Sequence, residues 1–167
     1  NTYAPVNELK LKYYSALNNQ KISGLVIGTR PDCLSNDVLD LLEEINKDYF
    51  MWVELGLQTT KPDSMVKLNL CYNLNDFERA TKELEKRNIK FVVHLILGLP
   101  DETKDDMLDS VRYVSKIKGL FNHGYFNPAT ITSDAEAIAN GTKTFLTILR
   151  NNNPKARIIW ATIPNSA

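Results

Sequence analysis

Little in this sequence points outward. Of its 167 residues, 20 are Lys or Arg and 20 are Asp or Glu, leaving no net charge. Without a net field there is no general attraction for nucleic acid, an acidic substrate or a membrane surface. A nucleic-acid partner would have to be argued from a site, and none is evident. No apolar run approaches the ~20 residues that cross a bilayer, and the N-terminus lacks the basic-then-apolar order of a secretory signal. The expectation is a soluble, cytoplasmic protein with no membrane partner. Cysteine is scarce: Cys33 and Cys71 are the two present, outside any C-x-x-C pair and away from a His at metal-ligand spacing. Two ordinary thiols and no metal site are expected. An initiator Met is also absent, since the chain opens NTYAPV, which suggests that the natural start lies elsewhere.

What is present is an alternation of helical and strand patterns, over a length that suits a single domain, residues 1–167. Val6, Leu9, Tyr13 and Leu17 recur at helical spacing, and Pro5 suits a first turn. GLVIGTRPD reads as a short strand stopped by Pro31, after which Ser35 caps a helix carrying Val38, Leu41, Leu42 and Ile45 on one face. FMWVELGLQ is the next strand, and Asn75 with Glu78 makes a capping-box-like start to a helix reaching Arg87. IKFVVHLILGLP is the most strand-like run, and Thr103 opens a helix with Met107, Leu108, Val111 and Val114 inward, ended by Gly119. Three strand-helix units with near-continuous apolar strands imply an α/β fold with a parallel sheet. Residues 119–132 read as a connection. Ser133 and Glu136 then start a helix to about Arg150, and ARIIWATI is a last strand closed by Pro164, so that 133–167 form a helix-strand tail.

The three strands share a second pattern. Side chains alternate between faces along a strand. Gly28 and Arg30 therefore share one face, as do Glu54, Gly56 and Gln58, and as do His94, Ile96 and Gly98. A carboxylate buried without a partner costs several kcal/mol or neutralises, so Glu54 asks for a partner, water or a ligand. Neighbouring glycines leave room for something to approach the backbone. Two arrangements satisfy this: a partial (β/α) barrel whose polar face meets a ligand near the strand ends, or a structural network in which Arg30, Glu54 and His94 satisfy one another. An open, flavodoxin-like doubly wound sheet is the alternative topology, and exposed sheet edges offer a route to a homodimer.

The runs NTYAPVNELK, IGTRPDCLSNDVLDLLEEI, WVELGLQT and HLILGLPDETKDDMLDSV carry a family resemblance. On them, residues 1–118 resemble radical S-adenosylmethionine (radical SAM) enzymes, within a YhcC-like bacterial group related to the elongator catalytic subunit. The resemblance implies a partial (β/α) barrel with S-adenosylmethionine across the strand ends, beside a 4Fe–4S cluster. It implies that Glu54 and Gln58 approach the ribose and amino-acid part of the cofactor, that Arg30 lies near its carboxylate, and that Ile96 and Gly98 lie along the adenine, with Gly56 and His94 on the same face. The family's chemistry is reductive cleavage of the sulfonium to a 5'-deoxyadenosyl radical. Its cluster sits on a C-x-x-x-C-x-x-C loop, since three thiolates leave one iron for the cofactor. No such run occurs here. The expectation is a fragment without radical chemistry of its own, retaining weak affinity for S-adenosylmethionine or another adenosine-type small molecule.

From about residue 126 the texture changes, and AEAIANGTKTFLTILRNNNPKARIIWATIP resembles a segment of SGNH (GDSL-type) hydrolases. That family's Gly-Asp-Ser, Gly-x-Asn-Asp and Asp-x-x-His blocks are missing. Esterase chemistry would need His123 to act as base for a serine such as Ser133. Two partial resemblances suggest a composite chain, an engineered or truncated chimera, with no biochemical function as a further alternative.

Overall fold

Gly24–Thr29 forms strand β1 and Phe50–Gln58 forms strand β2 in the computed structural model, which describes residues 1–19, 22–117, 123–126 and 159–162. The two pair in parallel, from Gly24 opposite Phe50 to Thr29 opposite Leu55. With Phe91–Leu95 as β3 they make a parallel three-stranded sheet in the order β1-β2-β3. The described helices are α1 (Val6–Leu17), α2 (Asn36–Asp48), α3 (Pro62–Lys67), α4 (Leu74–Lys86) and α5 (Lys104–Ser115). The α/β class and parallel pairing are as expected. The chain gathers into two compact units, residues 1–56 with 71–92 and residues 57–70 with 93–167.

In the first unit, alternation along the strands decides which side chains are buried. Ile27, Met51, Val53 and Leu55 are at most 1% exposed, whereas the other parity, Phe50, Trp52 and Glu54, is exposed or half-buried. Helices add to this core Leu9, Tyr13 and Leu17 from α1, Leu39, Leu42 and Ile45 from α2, and Phe77, Ala80 and Leu84 from α4. Each large apolar side chain removed from water contributes about 1.5–3 kcal/mol. Helix α1 packs on α2 and β1. Gly24 is required by close approach, because a Cβ there would lie 2.3 Å from the carbonyl oxygen of Phe50. Beyond β1, a 3-10 turn at Pro31–Cys33 is tied to α4 by Arg79, which donates to the carbonyls of Pro31 and Leu34 at 3.1 Å each.

Helix starts follow side-chain capping. Ser35 caps α2 as expected, accepting from the Val38 amide at 3.4 Å. Helix α4 starts earlier than the Asn75/Glu78 reading. Asn73 is the cap, accepting from the amides of Asn75 (2.8 Å) and Asp76 (3.2 Å), while Asp76 accepts from the Asn73 amide at 3.0 Å. The physical reason lies in the flanks: Tyr72 before the cap and Phe77 at the fourth helical position are both buried, the arrangement of a hydrophobic staple.

The second unit holds α3, which has no counterpart in the sequence reading because six residues carry too little period to recognise. Strand β3 stops at Leu95, short of its apolar run, and Gly98 beyond it has φ 83°. Thr103 caps α5 as expected, accepting from the Asp106 amide at 3.2 Å while Asp106 accepts from the Thr103 amide at 2.9 Å. Val111 and Val114 are buried, and Met107 and Leu108 half-buried. The helix ends at Ser115 with Lys116 as C-cap, ahead of Gly119, which lies outside the described residues.

One segment read as connection is a strand. His123–Phe126 forms β4 and pairs in parallel with β5, Ile159–Thr162, with His123 opposite Ile159. Four residues with a glycine and two aromatics show no period of their own, and the strand exists through a partner far along the chain. The helix expected over 133–150, Ser133 included, lies outside the described residues.

Candidate functional site

In the first unit, β1 and β2 bring Gly28 directly opposite Glu54. A Cβ added to Gly28 would meet no heavy atom within 4 Å, so the sheet surface beside Glu54 is open. Glu54 itself is half-buried and Gly56 is buried. The face thus combines a carboxylate, an accessible stretch of backbone and the edge of an aromatic pair, Phe50 and Trp52, whose rings meet edge-on at 5.5 Å. Such a surface suits a ligand that offers hydroxyl or amino donors to the carboxylate and a flat apolar part to the sheet.

Arg30 follows directly after β1, and its guanidinium is committed to a neighbour. Nε donates to Asp32 at 3.0 Å and Nη2 to the other carboxylate oxygen at 2.7 Å, a bidentate pair. The guanidinium also lies 5.3 Å from the centre of the Tyr3 ring. Hydrogen bonding to Asp32 strengthens its hold on the proton. Asp32 and Cys33 line a cavity of about 560 Å3 together with Thr2, Tyr3 and Asp37. Burial, followed by the charge of Asp32, raises the pKa of the Cys33 thiol, which disfavours the thiolate that metal ligation and nucleophilic attack require.

The second unit holds Gln58, His94, Ile96 and Gly98. Gln58 has φ 70°, a left-handed conformation that is unusual for a residue other than glycine. The amide of Thr59 bonds back to the carbonyl of Leu57 at 2.9 Å, and the carbonyl of Gln58 accepts from the amide of Ile96 at 2.7 Å. His94 is half-buried, Ile96 is 36% exposed, and Gly98 is half-buried. Gln58 and Ile96 are therefore joined through the backbone, at the C-terminal ends of β2 and β3, where parallel α/β folds place ligands.

Around these strand ends runs a set of polar contacts that the sequence reading missed. Thr59, fully buried, donates to Glu102 at 2.5 Å; the Thr60 amide donates to the Ser110 hydroxyl at 3.1 Å; and Lys61 pairs with Asp106 at 2.7 Å. Lys67 pairs with Asp101 at 2.6 Å. The bond from Lys61, then those from Thr103, bring the Asp106 pKa down to about 2. The available signal was positional: Thr59-Thr60 follow the end of β2, and Glu102-Thr103 directly precede α5.

Residues 1–114 match the Radical SAM superfamily. The chain belongs to that superfamily. It is 38% identical over 117 residues to the uncharacterised protein YtqA of Bacillus subtilis, covering 70% of this chain and 36% of that protein. It is likewise 38% identical over 114 residues to the protein YhcC of Escherichia coli, covering 68% of this chain and 37% of the relative. Among solved structures, the radical SAM enzyme coproporphyrinogen III oxidase (HemN) of E. coli superposes with a TM-score of 0.69 at 15% identity, over 90% of this chain and 38% of that one. The radical SAM chain therefore spans a little over a third of the length of these relatives. The structural likeness supports the barrel-like arrangement of strands over an open flavodoxin-like sheet.

Membership implies S-adenosylmethionine and an iron-sulfur cluster, and the residues present meet the two differently. The open surface at Gly28 beside Glu54 fits the polar, hydroxyl-bearing part of an adenosine ligand. The cluster does not fit: Cys33 and Cys71 are the two thiols of the sequence, one half-buried and one exposed, against three needed on one short loop. No group of three or more His, Cys, Asp or Glu suited to a metal ion occurs among the described residues. No radical step is assigned to these residues. Among the described residues, no helix is long and apolar enough to cross a membrane.

Proposed function

We propose that this chain is a radical SAM barrel fragment that retains weak affinity for S-adenosylmethionine or a similar adenosine-type ligand. The observation that carries the reading is Glu54, half-buried on β2 and opposite Gly28, whose missing side chain leaves the surface open. In the first unit, Glu54 accepts from the ligand's hydroxyl or amino donors and Gly28 keeps the backbone approachable, whereas Gly56 is buried. Arg30 meets the carboxylate end only by sharing its charge with Asp32, which already holds it bidentately, and this accounts for an affinity that is weak. In the second unit, the resemblance to the family offers Gln58, His94, Ile96 and Gly98 as candidate contacts for an adenosine-type ligand. A cytoplasmic setting, where this cofactor is made and used, belongs to the same reading.

Isothermal titration calorimetry tests it. S-adenosylmethionine is expected to bind at millimolar concentration, and Glu54→Ala to abolish the heat while leaving the circular dichroism spectrum intact. Absence of heat with the native chain at millimolar ligand, together with an unfolding midpoint that the ligand does not shift, overturns the proposal in favour of an α/β chain with no ligand of its own.

A further inference from the structure

Gln58 sits in a backbone conformation that is strained for a residue with a side chain, and the second unit holds it there from both sides. The turn Leu57-Gln58-Thr59 is closed by the Thr59 amide on the Leu57 carbonyl at 2.9 Å, with Gln58 at φ 70°. A three-residue turn with a positive central φ is the rare, strained hand of the γ-turn. On one side, the Gln58 carbonyl accepts from the Ile96 amide at 2.7 Å. On the other, Thr59 is fully buried, donates to Glu102 at 2.5 Å and accepts from the Lys61 amide at 3.1 Å. The second carboxylate oxygen of Glu102 is buried without a hydrogen-bond partner, so the bond from Thr59 matters to both residues. Polar pairing of this kind, spanning 43 residues of sequence, is more than a strand needs in order to end.

We infer that Thr59 and Glu102 are positioning residues whose hydrogen bond holds the γ-turn at Gln58, and so sets the direction in which the Gln58 amide leaves the strand to meet an adenosine-type ligand. At positive φ the Cα–Cβ bond leaves the backbone in a direction that no extended residue offers. A strand that ran on regularly would carry its side chains on the ordinary alternation. The turn gives Gln58 a distinct direction, and the buried Thr59–Glu102 bond offsets its cost. The inference rests on the ligand reading above and adds the element that orients one of its contacts.

The test uses the full chain and S-adenosylmethionine itself. Thr59→Val removes the donor at nearly constant shape and is expected to weaken binding roughly tenfold, the scale of one hydrogen bond's net worth. Thr59→Ser should restore affinity, and Glu102→Gln, which keeps an acceptor, should stay close to the native value. If Thr59 acts through Gln58, then in a Gln58→Gly background Thr59→Val should change affinity no further. A purely structural role predicts additive losses, and additivity overturns the inference, as does unchanged affinity in Thr59→Val. A second readout needs no ligand: amide hydrogen exchange at Thr59 and Ile96 should quicken in Thr59→Val while that at Val53, bonded to the Lys90 carbonyl, stays as it was. If the native chain binds no S-adenosylmethionine, the ligand reading fails, and the exchange result alone then decides whether the bond holds the turn. Unchanged exchange at both amides overturns the positioning role.

Discussion

The two units are held by different kinds of interaction. In the first, order comes from apolar side chains at regular spacing: Val53 and Leu55 on alternate positions of β2, Leu42 and Ile45 a turn apart on α2, Phe77 and Leu84 on α4, all fully buried. In the second, the backbone after β2 and after β3 departs from regular structure at Gln58, Gly98 and Asp101, each with positive φ. Polar pairs between distant residues hold it, Thr59 with Glu102, Thr60 with Ser110 and Lys61 with Asp106. The first arrangement is a scaffold whose energy is spread over many similar contacts. The second adds directed bonds in its loops to a helix packed through Val111 and Val114, the pattern expected where a loop must hold a particular shape.

That contrast can be broken most severely in the first unit. Phe77→Ala removes a fully buried ring and is expected to cost about 3–5 kcal/mol in chemical denaturation; a loss below about 1 kcal/mol would show that this unit is not held by core packing. A smaller effect, about 1–3 kcal/mol, is expected from Gly98→Ala, because φ 83° strains any residue with a Cβ. If Gly98→Ala unfolds at the native midpoint, the left-handed loop is not a constraint and the distinction between the units loses its basis. The smallest effect concerns pH. The Asp106 pKa is lowered from 3.8 to about 2 by Lys61 and then Thr103. A depressed folded-state value contributes stability that is present above the unfolded value and is lost as pH falls from 3.8 toward 2. Asp106→Asn should therefore flatten the acid limb of a stability curve over that window and leave the slope near neutral pH unchanged. An identical acid limb in both proteins would mean that Lys61 and Asp106 are not paired in solution.

Ligand and pairing then relate the units to the sequence. The stripe reading placed Glu54 and Gly28 correctly on one face, and the parallel register sets them opposite each other. It also treated Arg30 as free to meet a cofactor carboxylate or Glu54, whereas Asp32, two residues on, holds it bidentately. A parity argument sees which face a residue occupies and is blind to a short-range partner in the following loop. Gln58 was singled out for its amide, but its strained turn was not legible, because positive φ in a non-glycine residue leaves no trace in composition. The helix cap at Asn73 was missed for a related reason: the sequence offers two acidic-amide spacings close together, and burial of Tyr72 and Phe77 selects between them.

By itself, the sequence determined the α/β alternation, the parallel sheet, the buried faces of α1 and α2, and membership of the radical SAM superfamily. These follow from local periodicity, from caps within a few residues, and from long ordered runs of matching residues, all of which are written along the chain. Only the tertiary structure decided that 123–126 is a strand and that Gln58 is locked in a left-handed turn by a threonine and a glutamate far apart in sequence. Those features depend on which distant groups meet. A hydrogen bond over 43 residues has no period to announce it, and its energy exists only once folding has brought donor and acceptor together.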